Sequence, residues 1–338
     1  MRAAKSSKPH RPTGLGFVVI GRNEGLRLSC CLESLKQIGA PVVYADSASM
    51  DHSPATARKA GAMTVELNPD RPLNAARGRN AGLAALRTKY PGLEFVQFID
   101  GDCELQAQWT ETALEFLRAH PRAAVACGLR FEAHPHASIY NRIVNEEWKT
   151  PIGKAQSCGG DAMMRLASLD EIGLFDPTLI AGEEAELCSR FRGHGWEIWR
   201  LDAPMTRHDA AMMRLSQWTR RADRSGYGYA QAWLRTRGGD RLYASQLRSA
   251  VFWTALVPLM ALIGALLTRQ PAILLAVPLL YFLQSARIAA RRGLFSMWSW
   301  RYAALMVIAK FPEFLGALRG FLARGRPPPA TPVAAPAS

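Results

Sequence analysis

At 338 residues the chain can hold one large domain with an appendage, or two modest domains, and it is too long for a disulfide-stapled miniature fold. The 42 basic against 28 acidic residues give a formal charge of +14, and 49% of the residues are hydrophobic, so a sizeable core is available. Residues 241–338 hold a net +10 of that charge and the first 240 only +4, which excludes a uniformly basic nucleic-acid binder and points at the last third of the chain.

Residues 1–14 are basic and polar and are expected to be disordered; the apolar run after them, FVVIG, is too short for the core of a signal peptide. From Leu15 the pattern alternates. A strand-like GFVVI is followed by a helix over Leu26–Ile38 with Leu28, Cys31, Leu32 and Leu35 at helical spacing, then by a second strand, PVVYAD. A helix around Pro54–Ala60, a short strand AMTVEL, a helix over Ala76–Leu86 and the strand EFVQFID follow. This alternation implies an α/β domain over residues 15–240, built on a mostly parallel, twisted sheet covered on both faces. The six cysteines show no zinc spacing and read as reduced thiols of a cytosolic domain.

In such sheets ligands bind at the carboxyl ends of strands. Three strand ends here are polar: Gly21-Arg22-Asn23-Glu24, the run from Asp46 and Ser47 through Ser49 to Asp51, and Asp100-Gly101-Asp102. The last is the sharpest, because two carboxylates one residue apart can both reach a hard divalent cation, Mn2+ or Mg2+, which leaves positions for substrate phosphates. Arg71, Arg77, Arg79 and Asn80 offer donors to a diphosphate or a sugar. Neither a phosphate-binding G-x-x-x-x-G-K-[ST] loop nor a G-x-G-x-x-G turn follows the first strand.

With these residues in order, the chain resembles glycosyltransferase family 2, nucleotide-sugar transferases of the GT-A fold, over roughly residues 15–235. Asn23-Glu24 matches the family's pair after the first strand, with Gly21-Arg22 where Pro-x-Tyr is usual. By resemblance Asp46 contacts the base or ribose, Arg77, Asn80 and Gly82 match the Ala-Arg-x-x-Asn-x-Gly segment, and FIDGDC carries the D-x-D. The segment CGGDAMMR supplies Gly159, Gly160 and Asp161 beneath the donor sugar and acceptor. In GEEAELC the second acid, Glu184, takes the place of the catalytic base, a Glu for the usual Asp, with Glu183 as the competing candidate. His208 is implied as a third metal ligand beside Asp100 and Asp102. Gln217 and Arg220 fit the Q-x-x-R-W helix of processive synthases, but Arg221 stands where the Trp would be, which disfavours a polymerase. Arg220, Arg221 and Arg224 either clamp the diphosphate or sit at a membrane surface.

Residues 241–325 are expected to be membrane-associated. Ser249–Thr268 carries no charge over 20 residues, long enough for a helix to cross the hydrocarbon core, and Gln270–Ala286 adds 17 more. Arg241 and Arg248 before this hairpin, and Arg287, Arg291, Arg292 and Arg301 after it, place both ends and the catalytic domain on the cytoplasmic side of the inner membrane. Residues 294–323 read as an interfacial amphipathic helix, and residues 326–338 as a disordered tail. The expectation is a metal-dependent, inverting transfer from a nucleotide sugar, UDP-linked, to a lipid-linked or glycan acceptor for exopolysaccharide or another surface glycan. The alternatives are a non-catalytic membrane-tethered scaffold on the same fold and a nucleotidyltransferase, which would need a Gly-rich, Lys-containing loop that the first strand does not offer.

Overall fold

The computed structural model describes residues 13–323, so the tail expected over 326–338, and all of the expected disordered start except Thr13 and Gly14, lie outside the described residues. The chain divides into two compact units, the first ending at Ala211 and the second beginning at Met212.

The first unit opens with four parallel strands and their crossovers. These are β1 (Leu15–Gly21), α1 (Leu26–Lys36), β2 (Val42–Asp46), α2 (Ser53–Lys59), β3 (Met63–Glu66), α3 (Ala75–Lys89) and β4 (Phe95–Asp100). Almost every residue of β1 is buried, as expected for a strand covered on both faces, and α1 buries the expected Leu28, Cys31, Leu32 and Leu35. Asn74 caps α3 by accepting from the Arg77 backbone N–H. Next come β5 (Cys103–Leu105), α4 (Trp109–Ala119), β6 (Ala123–Glu132), α5 (Ile139–Glu147), β7 (Gly153–Lys154), β8 (Ala162–Arg165), α6 (Leu166–Ile172), α7 (Glu183–Gly193) and β9 (Glu197–His208).

Among the described residues these strands form one mixed sheet in the order β3-β2-β1-β4-β8-β6-β9-β5, with β7 on β9. It is parallel from β3 to β4 and between β6 and β9, and antiparallel where β8 enters between β4 and β6. The chain winds outward from β1 to β3 and then crosses to β4 on the other side of β1. That reversal opens a crevice at the carboxyl ends of β1 and β4, where Gly101 N–H donates to Ile20 O at 2.7 Å.

The second unit starts ahead of the 240/241 boundary expected from the sequence, because α8 (Leu215–Thr236) packs within it, along the helix Met297–Leu322. The approach is close: a Cβ on Gly226 would lie 1.9 Å from Glu313 O, and one on Gly316 1.9 Å from Asp223 O. The helix read as interfacial therefore buries a face of small residues, Ala303, Ala309, Gly316, Ala317 and Gly320, inside this unit. Two further helices, Ala244–Thr268 and Pro271–Ala290, are long and apolar enough to cross a membrane. They overlap the segments 249–268 and 270–286 expected as spans. A π-helical turn at Phe252–Leu256 absorbs the backbone mismatch ahead of Pro258, and Tyr281 O–H donates to Trp253 O at 2.7 Å across the pair. Their apolar side chains face outward, Leu267 at 80% exposure and Leu275 at 70%.

Candidate active site

The first two strand ends are stitched together by short polar side chains. Asn23, in the left-handed region at φ 56°, accepts from Met50 N–H at 2.7 Å, while its own N–H donates to Ser49 Oγ at 2.8 Å. Asp46 is buried and accepts from Tyr44 O–H (2.9 Å), Ser49 N–H (2.7 Å) and Ser49 Oγ–H (2.6 Å). Ser47 is half-buried and its N–H donates to Gly21 O at 2.9 Å. A cleft of about 490 Å³ opens here, lined among others by Arg22, Asp46, Ser49, Met50, Glu66 and Arg71. Glu24, on the crevice side, pairs with Arg27 at 2.7 Å; burial and the nearby Asp102 charge push its carboxyl up to about 7.

Arg77 and Asn80 lie close by but commit their donors to backbone. Arg77 donates to Arg71 O, Pro72 O and Asn68 O, and Asn80 exchanges hydrogen bonds with the Phe175 N–H and C=O. They brace these loops and, with Arg71, Pro72 and Pro177, also line a cleft of about 510 Å³. The α3 residue that reaches the centre is Arg79, which shares the buried face of Leu83 and Leu86 by the i, i+4, i+7 rule. Its Nη1 meets Glu183 Oε1 at 2.8 Å and Glu184 Oε1 at 3.0 Å, and its Nη2 meets Asp100 Oδ1 at 3.1 Å. Gly160 allows this approach, since a Cβ there would sit 2.6 Å from Asp100 Oδ2 and 2.8 Å from Arg79 Nη2, whereas Gly159 faces open space.

Arg130, at the end of β6, donates to Asp100 Oδ2 (3.0 Å) and to Asp161 Oδ2 through Nη2 (2.6 Å) and Nε (2.9 Å). Asp161 is fully buried, and it accepts from Asp100 N–H and Thr206 O–H. Burial alone would raise its pKa, but Arg130 and Thr206 hold it below the usual carboxylate range. Asp100 moves the other way, raised by burial and by the Asp161 charge.

Asp102 turns away from this pair. The β5–β9 register sets Cys103 opposite His208, and this brings Asp102 Oδ2 to 3.3 Å from His208 Nε2. Against the upward push of burial, the His208 hydrogen bond holds Asp102 at about 2; against the downward push of burial, Asp102 and Glu132 raise His208 to about 9. His208 Nδ1 is buried without a hydrogen-bond partner, 3.7 Å from Glu132 Oε2, and the Trp148 ring lies edge-on to the imidazole at 4.7 Å. Of the expected ligands Asp100, Asp102 and His208, the structure unites the last two. Ligand atoms of Asp102, Cys103 and His208 lie within 4.8 Å of one another, while Asp100 groups with Cys103 and Asp161 and is engaged by two guanidinium groups. A carboxylate and an imidazole so placed fit a divalent cation.

Glu183 and Glu184 occupy the first turn of α7, behind Gly182 in the left-handed conformation. Glu183 is buried against Arg79, and burial and the Glu184 charge raise its carboxyl to about 8. Glu184 is the more exposed side chain, 18% against 5%. Arg220 and Arg221 belong to α8 of the second unit, and every side chain gathered above comes from the first.

Arg130, Glu132, Trp148 and Thr206 went unnoticed in the sequence. One signal was there: Arg130 and Glu132 share a face at the end of a long apolar strand, as polar residues do at the other site-forming strand ends.

Residues 17–161 match the family model described as glycosyl transferase family 2. No curated protein matches the chain. Among solved structures it is similar to S. aureus TarS 1–349, at TM-score 0.50 and 15% identity, with 91% of each chain covered. It is also similar to the mannosyltransferase PcManGT from Pyrobaculum calidifontis, solved with GDP-Man and Mn2+, at TM-score 0.57 and 15% identity over 90% of this chain and 87% of that one. At such identities the likeness concerns the fold.

Proposed function

We propose that the chain, whose residues 17–161 match the glycosyl transferase family 2 model, is a GT-A glycosyltransferase that moves a sugar from a UDP-sugar to a lipid-linked acceptor at the cytoplasmic face of the inner membrane, inverting the anomeric carbon. The observation that carries the reading is the convergence of Asp102 with His208, and of Asp100 with the α7 acids, linked through Arg79. Asp102 and His208 would hold the cation, and the imidazole nitrogen favours Mn2+ over Mg2+. When bound, such a cation offsets the charge on a departing nucleoside diphosphate.

The chain's own groups divide the remaining work. Glu184, in the first turn of α7 and the more exposed of its two leading acids, accepts the proton of the acceptor hydroxyl. Glu183 keeps its proton up to about pH 8 and so lies neutral against Arg79, whose guanidinium sets the distance between the α7 acids and Asp100. Three hydrogen bonds already fill most of the roughly four lone-pair sites of the Asp46 carboxylate. What is left suits the single N–H of uracil better than the paired donors of guanine. Gly159, where a Cβ would meet nothing, leaves room for the donor sugar, and Gly160 lets Arg79 close on Asp100 beneath it.

The outward-facing apolar helices, with Arg241 and Arg248 before them and Arg287, Arg291 and Arg292 after, support a membrane hairpin whose ends face an anionic cytoplasmic leaflet. A glycolipid precursor of exopolysaccharide or another surface glycan is the product class that fits. The test is nucleoside diphosphate release by detergent-solubilised protein given UDP- and GDP-sugars with a membrane lipid extract. Release should need Mn2+, stop in EDTA and favour UDP-sugars. Full metal-dependent turnover in Asp102→Ala would contradict the cation site.

A further inference from the structure

Where β9 ends, between β6 and β5, one imidazole lies between two carboxylates. The register pairs His208 with Cys103 on one side and with Glu132 on the other. The backbone fixes it on both sides, since Asp209 N–H donates to Asp102 O at 3.0 Å and Ala133 N–H donates to His208 O at 2.7 Å. On the β5 side, His208 Nε2 meets Asp102 Oδ2 at 3.3 Å. On the β6 side, Nδ1 faces Glu132 Oε2 at 3.7 Å and is buried without a hydrogen-bond partner. The Trp148 ring stands edge-on against a third side.

The Glu132 side chain is fully buried, a costly place for a carboxylate unless its oxygens are used. Its Oε1 accepts from Asn141 Nδ2–H and from His134 N–H, both at 3.2 Å, and its Oε2 accepts from Ala210 N–H at 3.1 Å. These three donors leave acceptor capacity on Oε2, the oxygen that faces the unpartnered ring nitrogen. When one imidazole nitrogen serves a metal, a carboxylate on the other N–H fixes the orientation of the ring and strengthens it as a ligand.

Resting on the reading of Asp102 and His208 as the holders of the cation, we propose that Glu132 is a positioning residue for that site: it takes the Nδ1–H of His208 and so offers Nε2, beside Asp102, to Mn2+. Asn141 and the His134 and Ala210 amides in turn hold Glu132 in place. Glu132 thus acts through the imidazole and touches neither the cation nor the donor.

Mn2+ binding to the detergent-solubilised full chain, read from the electron paramagnetic resonance of the free ion, tests this. Wild type should bind Mn2+, and the bound ion should show coupling to an imidazole nitrogen. Glu132→Gln should weaken Mn2+ by about ten- to a hundredfold and diminish that coupling at saturation, and Glu132→Asp, which keeps the carboxylate on a shorter arm, should recover part of the loss. A second measurement needs no variant: with isotope-labelled histidine and Zn2+ as a diamagnetic substitute, the histidine whose ring nitrogen shifts on metal addition should keep an exchange-protected N–H at its other nitrogen. Mn2+ affinity unchanged in Glu132→Gln, or a weakened affinity with the nitrogen coupling intact, overturns the positioning role and leaves the cation site standing. So does a metal-bound histidine whose other N–H exchanges freely. If wild type binds no Mn2+, or binds it without imidazole coupling, the cation site falls and the role of Glu132 falls with it.

Discussion

The Arg79 guanidinium is 2% exposed and meets three carboxylates, those of Asp100, Glu183 and Glu184. Arg130 shares Asp100, but the two α7 acids face each other across Arg79, and burial together with the Glu184 charge raises the Glu183 carboxyl to about 8. Removing the guanidinium in Arg79→Ala leaves those acids uncompensated and should cost about 3–5 kcal/mol of stability, read by urea unfolding of the solubilised protein; a loss below about 1 kcal/mol would mean that they find other partners. The Glu183 carboxyl, raised from 4.5 to about 8, also sets a sign for pH. Between those values the native state holds a proton that the unfolded chain has released, so stability falls as pH rises through the interval. Glu24, raised to about 7, adds to the same trend. Melting temperature should therefore decline from pH 5 to pH 8, and Glu183→Gln should flatten the decline. An equal slope in wild type and variant would place the titration elsewhere. The acids themselves were legible as residues, because they follow apolar runs or open a helix. Their partners were not: Arg79 was one of three neighbouring arginines, and only the α3 packing face separates it from Arg77.

At the scale of elements, the β1–α1–β2 opening and the helical face of α1 followed directly from residue spacing. The later strands did not, since β7 has two residues and β8 four, too few for a period to show. The pairing of β5 with β9 decides which side chain meets His208, and register between strands so far apart in sequence leaves no local trace. The α8 helix was assigned to the catalytic domain for a related reason: its glycines, Gly226 among them, reveal their role only against the backbone of the helix Met297–Leu322. A methyl group at Gly226 or Gly316 would overlap a backbone carbonyl, so the two helices must move apart. Gly226→Ala should destabilise the second unit by about 1–3 kcal/mol or more and raise proteolysis within it, while Gly239→Ala, where a Cβ meets nothing, should behave as wild type. Equal resistance of the two variants would show that this contact does not hold the unit together.

For the whole molecule, the uneven charge has a structural counterpart. The first unit carries the crevice with its acids and guanidinium groups, and the second carries two outward-facing apolar helices flanked by arginines. Such a surface in water favours association, and the membrane proposed above would cover it. The central claim is that the site transfers sugar at a membrane with Glu184 as base. Its most direct measurement is incorporation of label from a UDP-sugar into solvent-extractable glycolipid by membranes containing wild type or Glu184→Gln, at matched expression and with Mn2+ present. The account predicts label in the lipid fraction with wild type and a rate lower by about a hundred- to ten-thousand-fold with Glu184→Gln, with UDP affinity unchanged. Wild-type incorporation by Glu184→Gln, or label that never enters the lipid fraction with any nucleotide sugar, would contradict it.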